Sequence, residues 1–302
     1  MKVLCFGSLN IDYTYKVDHF VKKGETLSSE SLKVFSGGKG LNQSIALAKA
    51  GVETFHAGAV GEDGGFLLEE LQKAGVNTDC VTVREDVRTG NAIIQNDREG
   101  DNCILLYGGA NQAITKEQVD TVLARFEHGD FLVLQNEINE LSYIMEQAHR
   151  KGMKIILNPS PMNEKILGLP LDSVDYFLLN EVEAGQILSR DVTKRFDGEA
   201  LAKELLQRFP TAAIVLTMGG AGSVYLDKEE MVRQPVCKVQ AVDTTAAGDT
   251  FTGFFIGGIL RGSSVKESME MASRAAAIAV TRRGAAPSIP LLEEVECFSE
   301  EK

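Results

Sequence analysis

Val242-Asp-Thr-Thr-Ala-Ala-Gly-Asp-Thr-Phe251 runs directly into Thr-Gly-Phe-Phe-Ile-Gly-Gly-Ile-Leu260. A turn of small residues feeds an apolar helical run. Ala246, Ala247 and Gly248 let a ligand come close to the backbone. The first amides of a helix lack intrahelical acceptors and lie at its positive end, so this start can hold an anion such as a phosphate. Asp249 stands on that anion site. A carboxylate repels a phosphate, which suggests that Asp249 instead accepts the proton of a hydroxyl that attacks phosphorus. Capping of a buried helix by Asp249 or Thr250 explains the short stretch equally well. The rest of the chain has to separate the two.

From Ala113 the pattern upstream of this stretch is regular. A helix over 115–127 leads to a strand at 131–135. A helix over 140–151, strands at 154–158 and 176–180, helices over 181–188 and 198–209 and a strand at 212–217 follow. Continuous apolar strands between amphipathic helices predict a doubly wound, mainly parallel α/β sheet with helices on both faces. Ligands of such sheets sit beyond the strand C-terminal ends. Glu137, Asn158, Asn180 and Thr217 fall there. The glycines of Thr217-Met-Gly-Gly-Ala-Gly222 admit a nucleotide or a tight hairpin. An alanine-rich helix over 265–281 calls for a closely packed neighbour.

The N-terminal half opens with a short strand at 3–6. No G-x-G-x-x-G follows it, which excludes a dinucleotide fingerprint. Asn10 and Asp12 fall on one face of an extended segment, suited to sugar hydroxyls or simply to a surface turn. Gly37, Gly38 and Gly40 precede a helix closed by Gly51, without the spacing of a P-loop. A strand over 52–60 and a helix ending at Gly75 come next. Residues 90–95 and 102–107 alternate about a turn, which predicts a β-hairpin. With segments near 10–16 and 31–36 it forms a separate small sheet, or else stands alone on the surface.

The chain has 302 residues, and its net charge of -12 disfavours nucleic acid or an anionic membrane as a partner. An anionic substrate must be held locally, by helix starts, single cations and metal ions. The five cysteines are scattered without a C-x-x-C, as suits reduced thiols in the cytoplasm. The first apolar run is too short for a signal peptide, and the one near Phe254 is too short to span a bilayer.

The A-A-G-D of the opening stretch resembles the C-terminal signature of the ribokinase/PfkB sugar kinase family. Gly38-Lys-Gly-Leu-Asn-Gln43 resembles its N-terminal signature, and L-N-P-S-P (157–161), N-E-V-E (180–183) and T-M-G-G-A-G (217–222) also match. The resemblance covers nearly the whole chain as one kinase domain over 1–302. It implies a β lid built from segments near 10–16, 31–36 and 89–108; the strand edges of such an exposed sheet are the expected homodimer contact. It implies transfer of the γ-phosphate of MgATP to the 5-hydroxyl of D-ribose. Asp249 would be the base, with Ala246, Ala247 and Gly248 forming the anion hole. Sugar contacts would come from Asn10, Asp12, Gly38, Lys39, Asn42, Glu137 and Asp249. Nucleotide contacts would come from Asn180, Thr217, Gly219, Gly222, Gly248 and Ser273, with Glu183 acting through Mg²⁺. A monovalent cation, K⁺, would lie near Asp243, Thr245, Ala279, Arg282, Gly284 and Ser288. Leu41, Ser44, Tyr107-Gly108, Asn136 and Ser273 depart from the usual pattern, the first of them on the sugar side. The alternatives are another pentose, a ketose, a deoxy sugar acid or a nucleoside as substrate, or a sugar sensor without catalysis.

Overall fold

A computed structural model describes residues 1–191 and 197–298. The first half contains β1 (Val3–Phe6), β2 (Asn10–Lys16), β3 (Ser31–Gly37), α1 (Lys39–Lys49), β4 (Thr54–Gly61), α2 (Gly65–Lys73), β5 (Asn77–Arg84), β6 (Gly90–Asn96) and β7 (Asn102–Tyr107). Next come α3 (Lys116–Leu123), β8 (Phe131–Gln135), α4 (Leu141–Lys151), β9 (Lys154–Asn158), β10 (Tyr176–Asn180), α5 (Glu181–Ile187), α6 (Gly198–Arg208) and β11 (Ala213–Thr217). The chain then forms β12 (Ser223–Leu226), β13 (Met231–Gln234), α7 (Ala247–Leu260), α8 (Val265–Val280) and α9 (Leu292–Glu296).

Two sheets result. The large one has the order β13-β12-β11-β10-β9-β8-β1-β4-β5. Its strands from β11 to β5 run parallel, and β12 and β13 are antiparallel at one edge. Successive side chains of a strand point to opposite faces, and both faces here are apolar. Leu4, Phe6, Leu132 and Leu134 enter the core under α3 to α6. Val3, Cys5 and Val133 enter the core under α1, α2, α7 and α8. Burial on both sides produces the unbroken apolar runs of the sequence. The mainly parallel, doubly covered sheet is therefore as expected.

The expected lid strands form the second sheet, in the order β3-β2-β6-β7. It is mixed: β2 pairs antiparallel with β3 and parallel with β6, which pairs antiparallel with β7. Two edge strands of the large sheet, β5 and β13, have no counterpart in the sequence reading. Each is only partly buried, so neither carries a continuous apolar run.

The chain winds outward from β1 through β4 to β5, then returns to β8 on the other side of β1 and continues to β13. The direction reverses between β1 and β8. In open α/β sheets a crevice forms beyond the strand ends at such a point. Glycine lets α1 approach it closely: a side chain at Gly40 would run into Ser8 and into the Gly7 backbone, and α7 packs on α1 with Gly253 against Ala46.

Candidate functional site

The start of α7 lies over this crevice. Its N-cap, Ala246, has φ 59° and ψ 8°, a left-handed conformation uncommon outside glycine. No side chain caps the helix. The Thr250 amide donates to Ala246 O at 2.8 Å, and the Ala247 amide to Thr244 O at 3.3 Å. The amides of Gly248 and Asp249 have no protein acceptor among the described residues. Of the expected Ala246, Ala247 and Gly248, Ala247 has engaged its amide with Thr244 O, while the amides of Ala246 and Gly248, like that of Asp249, have no protein acceptor among the described residues.

A side chain at Gly248 would meet nothing within 4 Å, and its φ lies outside the left-handed region. Neither packing nor backbone conformation requires glycine there. Gly248 instead borders two hollows. One is lined by Lys39, Asn180, Glu183, Thr217 and Asp249. The other, of about 510 Å³, is lined by Gly219, Gly222, Val236, Ser273 and Ala276 among others.

Asp249 is 7% exposed. Its Oδ2 accepts from Asn42 Nδ2 at 3.2 Å and its Oδ1 from Gln43 Nε2 at 2.9 Å. Both oxygens thus face α1, and the helix-capping explanation fails. Gln43 Nε2 also donates to Asn158 Oδ1 at 3.2 Å, and Gln43 Oε1 accepts from Gln135 Nε2 at 2.7 Å. Sequence reading passed over Gln43 and Gln135, although Gln43 closes the quoted N-terminal motif and Gln135 ends a strand. Lys39 stands beside them. The Asp249 charge, against the cost of burial and with help from Glu137 and Glu183, raises its ammonium pKa and keeps it cationic.

The second cluster lies toward the small sheet. Glu137 Oε2 accepts from the Lys39 amide at 2.9 Å and from the Ser8 hydroxyl. Asn10 Oδ1 accepts from Asn111 Nδ2 at 2.8 Å, and Asn111 also bonds both backbone groups of Leu9. Asn111 is a further residue the sequence reading missed; it fixes the turn that aims Asn10. Burial, then the neighbouring Glu137, pushes the Asp12 carboxyl up to about 7. Gly38 takes φ 97°, and a side chain there would strike Ser8 O, so its glycine serves the loop. A hollow opens here between Asn10, Glu137, Tyr107, Asn136 and Lys165. Two departures expected on the sugar side lie elsewhere. Leu41 is in the core, and Ser44 Oγ sits 2.7 Å from Nδ1 of the buried His56, between α1 and β4.

On the opposite side, Asn180 and Glu183 hold each other. Asn180 Oδ1 accepts from the Glu183 amide at 2.9 Å and Glu183 Oε2 from the Asn180 amide at 3.0 Å, a capping box on α5. It fixes Glu183 at the wall of the hollow below Gly248. Ser273 Oγ donates to Pro235 O at 3.3 Å. Asp243 joins two loops directly: its Oδ1 accepts from the Thr245 amide at 2.9 Å and its Oδ2 from the Gly284 amide at 2.9 Å. Burial pushes this carboxyl up, but the Thr245 hydroxyl and these amides prevail and hold it below the usual range. Ala279 O accepts from the Arg282 amide and Ser288 Oγ donates to Ala285 O. The Arg282 side chain turns away to Glu294 at 2.5 Å.

Known proteins share this fold. Ribokinase of Staphylococcus aureus is 34% identical over 97% of this chain and 98% of its own length. The crystal structure of a Cryptococcus neoformans ribokinase in complex with ADP superposes with a TM-score of 0.87, at 32% identity, over 98% of each chain. An Arabidopsis thaliana ribokinase complexed with ribose and ATP gives 0.85 at 28% identity over 99% of each. The pfkB family carbohydrate kinase model matches residues 1–292. The chain belongs to the pfkB family of carbohydrate kinases.

Proposed function

We propose that this enzyme transfers the γ-phosphate of MgATP to the 5-hydroxyl of D-ribose, with Asp249 as the base. One observation carries the reading: a buried carboxylate beside a helix start whose glycine no protein contact requires. The sugar lies among Asn10, Asp12, Gly38, Lys39, Asn42 and Glu137, and the nucleotide among Asn180, Thr217, Gly219, Gly222 and Ser273. Asp249 takes the hydroxyl proton as the oxygen attacks the γ-phosphorus. The bond from that phosphorus to the bridging oxygen breaks, and ADP leaves. Charge on the transferring phosphoryl oxygens is met by the amides of Gly248 and Asp249 and by Lys39. Mg²⁺ bound with the nucleotide neutralises phosphate charge, and Glu183 suits it through water, being held at the wall of the phosphate hollow. Asp243, with carbonyls of the 279–288 loop, suits a K⁺ that steadies the α7 turn, because its oxygens already bridge the two loops.

Release of ADP, followed by a coupled assay over a panel of pentoses, ketoses, sugar acids and nucleosides, tests the reading. D-ribose should give the highest kcat/KM. A better substrate elsewhere in the panel replaces ribose but leaves the chemistry, and no turnover with any sugar favours a sensor. Higher rates in K⁺ than in Na⁺, abolished by Asp243→Ala, would support the ion; equal rates would remove it.

The small sheet is proposed to close over the sugar and to pair with a second copy. Val34, Ile104, Leu105 and Leu106 are exposed apolar residues on it, more than a solvated sheet needs. A monomer in sedimentation at micromolar concentration would refute the pairing. The five scattered cysteines, without a C-x-x-C, suit a reducing cytoplasm.

A further inference from the structure

We infer that Gln43 and Gln135 are positioning residues: a two-amide relay from β8 through α1 fixes the Asp249 carboxylate for proton transfer. The inference rests on Asp249 as the base. Both side chains are 0% exposed. A buried amide is costly unless its groups are paired, and an apolar residue of similar shape fills a core at least as well. Their chemistry therefore needs a reason beyond packing.

The orientation of Gln43 is determined by its surroundings. Its Nε2 meets two acceptors, Asp249 Oδ1 at 2.9 Å and Asn158 Oδ1 at 3.2 Å. Asn158 is itself oriented, because its Nδ2 donates to Leu178 O at 2.8 Å. On the other side Gln43 Oε1 accepts from Gln135 Nε2 at 2.7 Å. A flipped Gln43 would place its carbonyl against two oxygens and its amino group against another. Gln135 holds this position at a cost: its own Oε1 is buried without a partner, against Gly7. Buried acceptors left unpaired are rare and call for an explanation. Here the explanation is the direction of the relay, which delivers an N–H to Asp249 and leaves the deficit at the far end.

Gln43 on Oδ1 and Asn42 on Oδ2 then hold both carboxylate oxygens. The plane of the carboxylate is fixed, and what remains of its acceptor capacity faces the hollow shared with Gly248 and Lys39. The other titratable groups around Asp249 are Lys39 at the start of α1, Glu137 after β8, Glu183 on α5 and Cys5 on β1.

The test compares Gln43→Met, Gln135→Met, the double variant and Asp249→Asn, using MgATP and the best sugar of the panel. Thermal unfolding confirms folding. Gln43→Met should lower kcat by about tenfold, since misplacing a reacting group is costly, and should leave KM for ATP within about twofold of wild type. KM for the sugar should likewise stay within about twofold, so that the loss falls on turnover and not on binding. Gln135→Met should lower kcat less, with both KM values likewise unchanged. On the Gln43→Met background it should add no further loss, since it acts through Gln43.

A folded Gln43→Met with wild-type kcat overturns the relay, provided Asp249→Asn is inactive. So does a kcat loss accompanied by a comparable rise in both KM values, which is what mere loosening of the core produces. If Gln43→Met does not fold, Gln135→Met is judged by the same two readouts. If Asp249→Asn retains its activity, the base assignment fails first and the relay falls with it.

Discussion

Two glycine-bearing helix starts meet at the site, and they use glycine for different reasons. Before α1, a side chain at Gly37 would strike the Asp12 carboxylate, Gly38 is left-handed at φ 97°, and a side chain at Gly40 would strike Ser8 and Gly7. Each of these is accounted for by the protein itself: backbone must pass close to backbone where α1 leaves the small sheet. Before α7, Gly248 has free space around it and an ordinary backbone, while the strained left-handed position is taken by Ala246. Glycine signals look alike in a sequence. Coordinates separate those that let the chain pack from the one that leaves space for something else.

The comparison can be broken most severely at the carboxylate the two starts share. Asp249→Asn keeps the size of the side chain but removes the base, so kcat should fall by about 10²–10⁴-fold, with ATP affinity retained in a binding assay. Activity within a few-fold of wild type would end its role as the base. Gly40→Ala probes the packing side. Overpacking backbone against backbone costs about 1–3 kcal/mol or more, so Tm should drop by roughly 5 °C, with kcat per folded molecule falling less than in Asp249→Asn. A Tm equal to wild type would mean that α1 can move away from Ser8 freely.

The smallest effect concerns Asp12, beside Gly37. Its carboxyl is raised to about 7 in the folded protein from an ordinary 3.8. The folded state then binds the proton more tightly than the unfolded chain. This contribution favours folding fully below the unfolded pKa and is lost as pH rises toward and through 7. Asp12→Asn should leave Tm unchanged at pH 4 and raise it by roughly 2–4 °C at pH 8. An equal shift at both pH values would refute the assigned burial and the repulsion from Glu137.

How much of this could be read in advance depended on the range of each interaction. The parallel sheet was legible because Phe131 to Gln135, Lys154 to Asn158 and Tyr176 to Asn180 are buried on both faces and so carry unbroken apolar runs. β5 was not, because as an edge strand it alternates irregularly between half-buried and exposed residues. Asp249, Gly248 and Lys39 stand in short local motifs. The partners that orient them are remote in sequence: Gln43 and Asp249 are 206 residues apart, Gln135 and Gln43 are 92 apart, and Asn10 and Asn111 are 101 apart. Nothing local marks a glutamine as an orienting group. Ser44 misled because its hydroxyl turns to the buried His56 on β4, a pairing between α1 and β4 that no local motif marks.

Gly248→Ala, with Tm and kcat measured on the same preparation, tests the central claim most directly. The added methyl meets no protein atom within 4 Å, and alanine favours helix over glycine by up to about 1 kcal/mol. Tm should therefore stay the same or rise slightly, while kcat falls by about 10²-fold as the methyl intrudes on the phosphoryl group at the amides. A variant with wild-type kcat would contradict the placement of the transferring phosphate at this helix start, and one that lost Tm together with kcat would show that Gly248 serves the fold after all.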